Sequence, residues 1–458
     1  MTSTAEDPCV LGIDLGTTSV KVSLFHQASR SVISTVSKAT KADVPSDVET
    51  GSEQLASKIF TTLQECMSEL QEERCRQVKC IGITGQMHGV VMWSELKTEG
   101  WQVPSTSHLY TWQDQRCTTE FLESLPQPDS HLPLSTGHGC ATLCWLHRFR
   151  PEVLDDFTCS GTIMDLLVAM MCGLETPVTS VQLAASFGYF NTKTMSWNKQ
   201  NFQKIGFPIQ ILPDVREPGH VAGNLQYDWM GICKDTPVLA ALGDVQCAVL
   251  SVASSETDAV LNMSTSGQMM FPVRPEGGVP DHPDMTSSIQ YFPYFDGQFL
   301  AMAASLNGGN VLSHMVIMLQ QWFKAFGFDV NEDKIWSTLL GLGSDASTGP
   351  IIVPTLFGER HLPEQKVAIS GLTTSNLDLG SVFRSLCKGL VTNLCDMMPI
   401  SVMESHGITT VKATGSVVDR NTIIRDEIAK HYGSFKVEFG SSCDSATGAA
   451  MFCVKHLK

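Results

Sequence analysis

A carboxylate followed at once by a turn of small hydroxyl residues is equipped to handle a phosphate. Asp14 is next to last in the apolar run VLGIDL, and Gly16, Thr17, Thr18 and Ser19 follow before a second apolar run, VKVSLF. In such a turn the glycine permits the tight geometry, and backbone N–H and side-chain O–H groups donate to the β- and γ-phosphates of a nucleotide. The carboxylate beside them binds Mg²⁺ directly or through water. A strand-end aspartate that merely bonds turn N–H groups has the same appearance, and the two roles are compatible. The pattern recurs in AVLNMSTSGQMMF, Ala259 to Phe271, with Ser264, Thr265, Ser266 and Gly267 at the turn. Either turn alone is ordinary hairpin material; the two in this order favour phosphate.

The elements that must carry these turns read as alternating strands and helices, an α/β layering. Val10 to Phe25 reads as a hairpin, Gln54 to Leu70 as a helix, and Cys80 to Ile83 as a buried strand leading into the polar loop GQMHG. The hairpin pattern returns half-way along the chain at Ala259 to Phe271. Helical periodicity follows in Asn310 to Phe326 and in Leu379 to Met398, where Leu386, Leu390, Leu394 and Met397 line one face. Between the two halves, GDVQCAVLSVASSE, Gly243 to Glu256, reads as a crossover. Two domains are expected, residues 1–248 and 249–458, with a hinge near residue 250.

A chain of 458 residues that is 43% apolar exceeds one ordinary core, and with 17% charged residues and no low-complexity tract it is not a disordered protein. The formal net charge of -16 argues against nucleic acid as a partner, because no basic stripe is present to neutralise many phosphates. A single nucleotide, held by local N–H donors and a cation, remains compatible with it. The 15 cysteines are odd in number and scattered, and Cys75, Cys80, Cys140 and Cys144 lack partners at zinc-site spacing. They read as buried thiols of a reducing compartment. The MTSTAEDPC terminus lacks the basic and then apolar order of a secretory signal, and no apolar run reaches bilayer length. A cytoplasmic protein with no membrane partner is the expectation.

Two phosphate-type turns in two halves match the actin-like ATPase plan that sugar kinases, hexokinase, actin and Hsp70 chaperones share. DLGTTS does not separate these groups; the other motifs do. GIDLGTTSVK (12–21), GITGQMHGV (82–90), WQDQRC (112–117), GDVQCA (243–248), NMSTSG (262–267), TLFGERHLP (355–363), GLTTSNLDL (371–379), ATGSVVDRN (413–421) and SSCDSATGAAMF (441–452) follow in an order that resembles the FGGY carbohydrate kinase family over nearly the whole chain. The resemblance implies two actin-like, ribonuclease H-like domains flanking a central cleft for nucleotide and sugar, with ATP and Mg²⁺ as cofactors. Within the family, GQMHGVV, WQDQRC, SFGYFNT, YFPYF, SLNGGNVL and GERHLP resemble the branch that phosphorylates a seven-carbon ketose at its terminal hydroxyl. Xylulokinases share QMHG and a GER-P string, so a five-carbon ketose is the alternative.

What the resemblance implies for single residues follows the chemistry. Phosphoryl transfer to an alcohol needs positioning, charge neutralisation and one acceptor for the hydroxyl proton. The implied acceptor is Asp244, also placed near the metal, in a GD pair that is otherwise a common helix start. An unperturbed aspartate titrates near about 4, so it accepts the proton late, as the P–O bond forms. Met87 and His88 correspond to positions that meet the ketose, and Gln246 is within reach of a sugar hydroxyl. Trp112 and Asp114, with Arg116, either line the same cleft or form a structural brace. Gly415, Ser416 and Asn421 correspond to the adenosine turn, although Ala413 and Thr414 replace its usual glycines and a plain strand-to-helix turn is the alternative. Val181 stands where relatives often carry an aspartate, which removes a polar contact there. Glu359, Arg360 and His361 are expected to form an ion-paired loop that shapes the cleft. Two alternatives come from other classes: an Hsp70- or actin-like ATPase, for which DLGTTS is the only support, and a catalytically silent sugar or nucleotide sensor on the same fold, which would have no need of the base Asp244.

Overall fold

The computed structural model describes residues 8–94, 96, 100–276, 278–347, 349–440 and 443–457. The first hairpin forms as its alternation predicts: strand Cys9–Leu15 pairs antiparallel with Ser19–His26, and the Leu15–Val20 pair leaves Gly16 to Ser19 as the connecting turn. Ser31–Ala39 adds a third antiparallel strand, while Val78–Gly85 runs parallel on the other side of Cys9–Leu15. Pro237–Leu239, Val221–Asn224 and the short Leu242–Gly243 complete a seven-stranded sheet.

The second half repeats this order. Asp258–Met263 pairs antiparallel with Gly267–Val273, which pairs antiparallel with Phe299–Ser305, and Thr410–Thr414 runs parallel beside Asp258–Met263. Ile289–Pro293 and Lys436–Phe439 close the edges of this six-stranded sheet. Two parallel central strands that are both buried read as near-continuous apolar runs, which is why VLGIDL and DAVLNM carry the clearest strand signals. Each sheet has its own apolar core. Helix Ala56–Ser68 covers the first with Ile59, Phe60 and Leu63; helix Leu379–Met397 covers the second and buries the expected Leu386, Leu390, Leu394 and Met397.

The crossover between the halves is a helix, Asp244–Val252, so the expected division at residue 248 falls inside it. The last helix, Ser445–His456, does not stay with the second sheet where sequence order would put it. It packs on the Asp244–Val252 helix and across strands Cys9–Leu15 and Val78–Gly85 of the first. The seam is made of small residues. A Cβ added at Gly12 would lie 1.9 Å from the Ala446 carbonyl oxygen, one at Gly82 would lie 2.7 Å from that of Ala449, and one at Gly448 would lie 1.8 Å from that of Cys247. These glycines let backbones approach directly, and the helix thereby ties the crossover to the first sheet.

The described cysteines are all free thiols, most of them buried. Among the described residues, no helix is long and apolar enough to cross a membrane.

Candidate active site

The C-terminal ends of parallel strands are where α/β sheets leave a crevice for ligands. In the first sheet three such ends coincide: Asp14 near the end of Cys9–Leu15, Gln86 just after Val78–Gly85, and Asp244 just after Leu242–Gly243. Asp14 is pushed up to about 7 by loss of solvent and then by the charges of Asp244 and Asp444, against the pull of Lys21. Asp244 is pushed up to about 6, chiefly by burial, although the Val245 N–H donates to its Oδ1 at 2.8 Å. Two desolvated carboxylates that repel one another fit a divalent cation, whose charge would remove the repulsion. Among the described residues no group of three or more His, Cys, Asp or Glu side chains is set to hold a metal. Two carboxylates can serve an ion that takes one or two protein carboxylates and keeps its waters, as Mg²⁺ does.

Supporting contacts fix this pair. Lys21, opposite Asp14 in the hairpin register, forms an ion pair with Asp444, the residue that caps the last helix. Ser445 Oγ donates to the Asp244 carbonyl at 3.1 Å. Gln182 is fully buried and accepts from the Gly243 N–H at 3.0 Å, fixing the peptide just before Asp244. Val181 brings no polar group, as expected, but the next residue does. A lone uncharged glutamine in TSVQLAAS carries no signal of its own, so the sequence does not point to Gln182.

The first turn is held from behind by an amide chain. Gln54 Nε2 donates to the Thr17 carbonyl at 2.8 Å, and Gln86 Nε2 donates to Gln54 Oε1 at 3.0 Å. Trp112, 44% exposed, donates its indole N–H to Thr17 Oγ1 at 2.9 Å, so the WQDQRC loop touches the turn itself. Thr18 faces solvent. Asp114 lies away from this group. Its carboxylate accepts from the Ser52 N–H and from Arg116, which also bonds Glu53 at 2.6 Å, all buried. Of the two readings open for the Asp114–Arg116 pair, the structure places the pair as a brace.

In the loop after Val78–Gly85, His88 has the left-handed φ of 73° and stacks on His138 with ring centroids 5.1 Å apart. Its Nδ1 contacts the Ser186 carbonyl at 2.8 Å, so a donating Nδ1–H leaves Nε2 as the acceptor. Burial lowers its pKa, the Ser186 carbonyl opposes this, and the charge of Arg360 lowers it further. His138 is taken down to about 3 by burial and then by His88, so both rings are neutral at pH 7. Met87 is buried with its methyl beside Gly243. Gln246 is buried too; its Nε2 donates to the Pro293 carbonyl at 3.0 Å, while Oε1 has no protein partner.

In the second sheet the turn Ser264 to Ser266 joins Asp258–Met263 to Gly267–Val273. The Ser416 N–H donates to Ser264 Oγ at 3.2 Å, and Gly415, at φ 109°, sits so close that an added Cβ would be 2.4 Å from the Met263 carbonyl oxygen. Gly415 and Ser416 thus lie against the second turn. Asn421 does not reach the turn with its side chain: it is buried, and its Oδ1 caps helix Thr422–His431 by accepting from the N–H groups of Ile423 and Ile424. The expected ion-paired GERH loop is also different. The Glu359 carboxylate is buried among neutral donors, and Arg360 donates instead to the Ala304 carbonyl at 3.2 Å.

A profile described as the FGGY family of carbohydrate kinases, N-terminal domain, matches residues 9–251. The chain is 43% identical over 471 residues to the sedoheptulokinase of Homo sapiens, covering 98% of each. To the sedoheptulokinase of Mus musculus it is 43% identical over 465 residues, covering 98% of this chain and 97% of that one. Among solved structures, the gluconate kinase from Lactobacillus acidophilus matches with a TM-score of 0.78 at 21% identity, covering 98% of this chain and 89% of that one. Plasmodium falciparum glycerol kinase with ADP matches with a TM-score of 0.77 at 18% identity, covering 97% and 89%. The duplicated sheets are the two-domain actin-like ATPase fold.

Proposed function

The chain belongs to the FGGY family of carbohydrate kinases, and from that premise we propose that it transfers the γ-phosphoryl group of ATP to the terminal hydroxyl of sedoheptulose, giving sedoheptulose 7-phosphate. The observation that carries the reaction is the desolvated pair Asp14 and Asp244 at coincident strand ends, beside one of two hydroxyl-rich turns. Full-length likeness to two sedoheptulokinases supports the sugar.

Each group then has a task. Gly16 to Ser19 and Ser264 to Gly267 donate to the phosphates from opposite halves, and Gly415 and Ser416 present backbone to the adenosine. Asp14 and Asp244 would hold Mg²⁺, which would supply neutralisation of the phosphate charge. Asp244 accepts the proton of the attacking hydroxyl. The transfer comes late along the reaction, as the P–O bond forms. Neutral His88 accepts a hydrogen bond from a sugar hydroxyl, Gln246 Oε1 offers another acceptor, Met87 packs on the C–H face, and Trp112 closes the wall toward the turn. Closure of the halves about the Asp244–Val252 helix excludes water, so that ATP is not simply hydrolysed. Free thiols throughout fit a reducing cytoplasm. Family membership removes the chaperone- or actin-type alternative.

Purified protein with ATP and Mg²⁺, offered sedoheptulose, D-xylulose, D-ribulose or glycerol, tests the reading by sugar-dependent ADP release. Sedoheptulose should give the highest kcat/KM. A clear preference for D-xylulose, or no phosphoester above a sugar-free control, overturns it.

A further inference from the structure

Glu359 is an almost fully buried carboxylate, 1% exposed, and its hydrogen-bond donors among the described residues are all neutral groups. These donors converge on it from separate segments. Ser305 Oγ, Asn307 Nδ2 and Asn393 Nδ2 reach Oε1 at 2.5, 2.9 and 2.8 Å, and the Leu306 N–H reaches Oε2 at 3.0 Å. An uncompensated buried charge is costly unless it is hydrogen-bonded on this scale. Every neighbour here donates, so only a group that accepts at both oxygens satisfies them all. Its partners come from the end of strand Phe299–Ser305, the SLNGG loop that follows, and helix Leu379–Met397.

The SLNGG loop in turn grips the second phosphate turn. The Gly309 N–H donates to the Ser264 carbonyl at 2.8 Å and the Asn310 N–H to that of Thr265 at 3.1 Å. Gly308 lies so close that an added Cβ would be 2.7 Å from the Ser266 carbonyl carbon. The turn therefore has the position the loop gives it, and the loop has the position its bonds to Glu359 give it. We propose that Glu359 is the positioning residue of the second phosphate turn, setting nucleotide affinity without touching the nucleotide. The proposal rests on the reading that Ser264 to Gly267 hold phosphate.

In Glu359→Gln the side-chain oxygen can keep its donors on one side, but the new NH₂ then faces the Leu306 N–H. Calorimetric titration of the full-length variant with a non-hydrolysable ATP analogue and Mg²⁺, and separately with sedoheptulose, reads the consequence. The nucleotide Kd should rise about tenfold, the loss of one charge-assisted bond, while the sugar Kd stays within about twofold. Asn393→Ala removes a single donor and should move the nucleotide Kd in the same direction by less; it decides the matter if Glu359→Gln does not fold. A nucleotide Kd unchanged in the folded variants, or nucleotide and sugar affinities that fall together, overturns the proposal. A wild-type protein that binds the nucleotide but phosphorylates no sugar would instead sink the functional reading and leave this one standing.

Discussion

Replacing Gly12 by alanine drives a methyl group into the main chain of the last helix. The added Cβ would lie 1.9 Å from the Ala446 carbonyl oxygen and 2.9 Å from the Ala450 nitrogen, both backbone atoms that cannot swing aside. Relief requires the helix to lift from the sheet. Overpacking a well-filled site costs about 1–3 kcal/mol, and backbone opposition puts this site at about 3 kcal/mol or above. At roughly 2–4 °C per kcal/mol for a domain of this size, the melting temperature should fall by about 6–12 °C. Gly341 supplies the internal contrast. It lies inside helix Glu332–Asp345, where an added Cβ meets nothing within 4 Å. There alanine should stabilise by about 0.5–1 kcal/mol. Asp14 stands two residues beyond Gly12 on the same strand face, so Gly12→Ala should also depress kcat. Differential scanning calorimetry with initial rates reads both effects. A Gly12→Ala protein that melts within about 2 °C of the parent would refute the view that the small-residue seam fixes the last helix.

Arg116→Met leaves Asp114 and Glu53 buried without their cation and should cost about 3–5 kcal/mol in urea unfolding, far more than an exposed pair such as Arg150–Asp47. Burial alone would raise the Glu53 carboxyl, but bonds from Ser46, His108 and Arg116 hold it below its ordinary 4.5. Its stabilisation is therefore full above that value and lost as pH falls through the folded pKa; melting temperature followed down to acid pH should drop there, and Glu53→Gln should flatten the slope. Gln182→Leu removes the acceptor of the Gly243 N–H and should lower kcat by about tenfold with the KM for ATP unchanged, whereas Gln182→Glu, which still accepts, should recover much of the loss.

The parts legible in the sequence are those whose signal is local. VLGIDL, DAVLNM and the leucine face of residues 379–397 announce themselves by periodicity, and the two turns by glycine and hydroxyl residues between apolar runs. The rest depends on contacts between distant segments. SATGAAMF shows only that the last helix is small-sided, and only the facing glycines Gly12 and Gly82 reveal which sheet it meets. Asn421 follows a glycine turn and reads as a nucleotide contact, yet the start of a helix claims its oxygen. Glu359 beside Arg360 reads as an ion pair because adjacency is visible, while its actual donors lie some 34 to 54 positions away. Gln182 carries no charge and no motif, and its role appears only once Leu242–Gly243 is seen beside it.

The central claim is that Asp244 accepts the proton of the attacking hydroxyl, and Asp244→Asn tests it most directly. The amide keeps the size and the bond from the Val245 N–H but cannot take a proton, so turnover of sedoheptulose should fall by about 10²–10⁴ while the sugar Kd stays near the parent value. A variant with near-normal kcat would contradict the account.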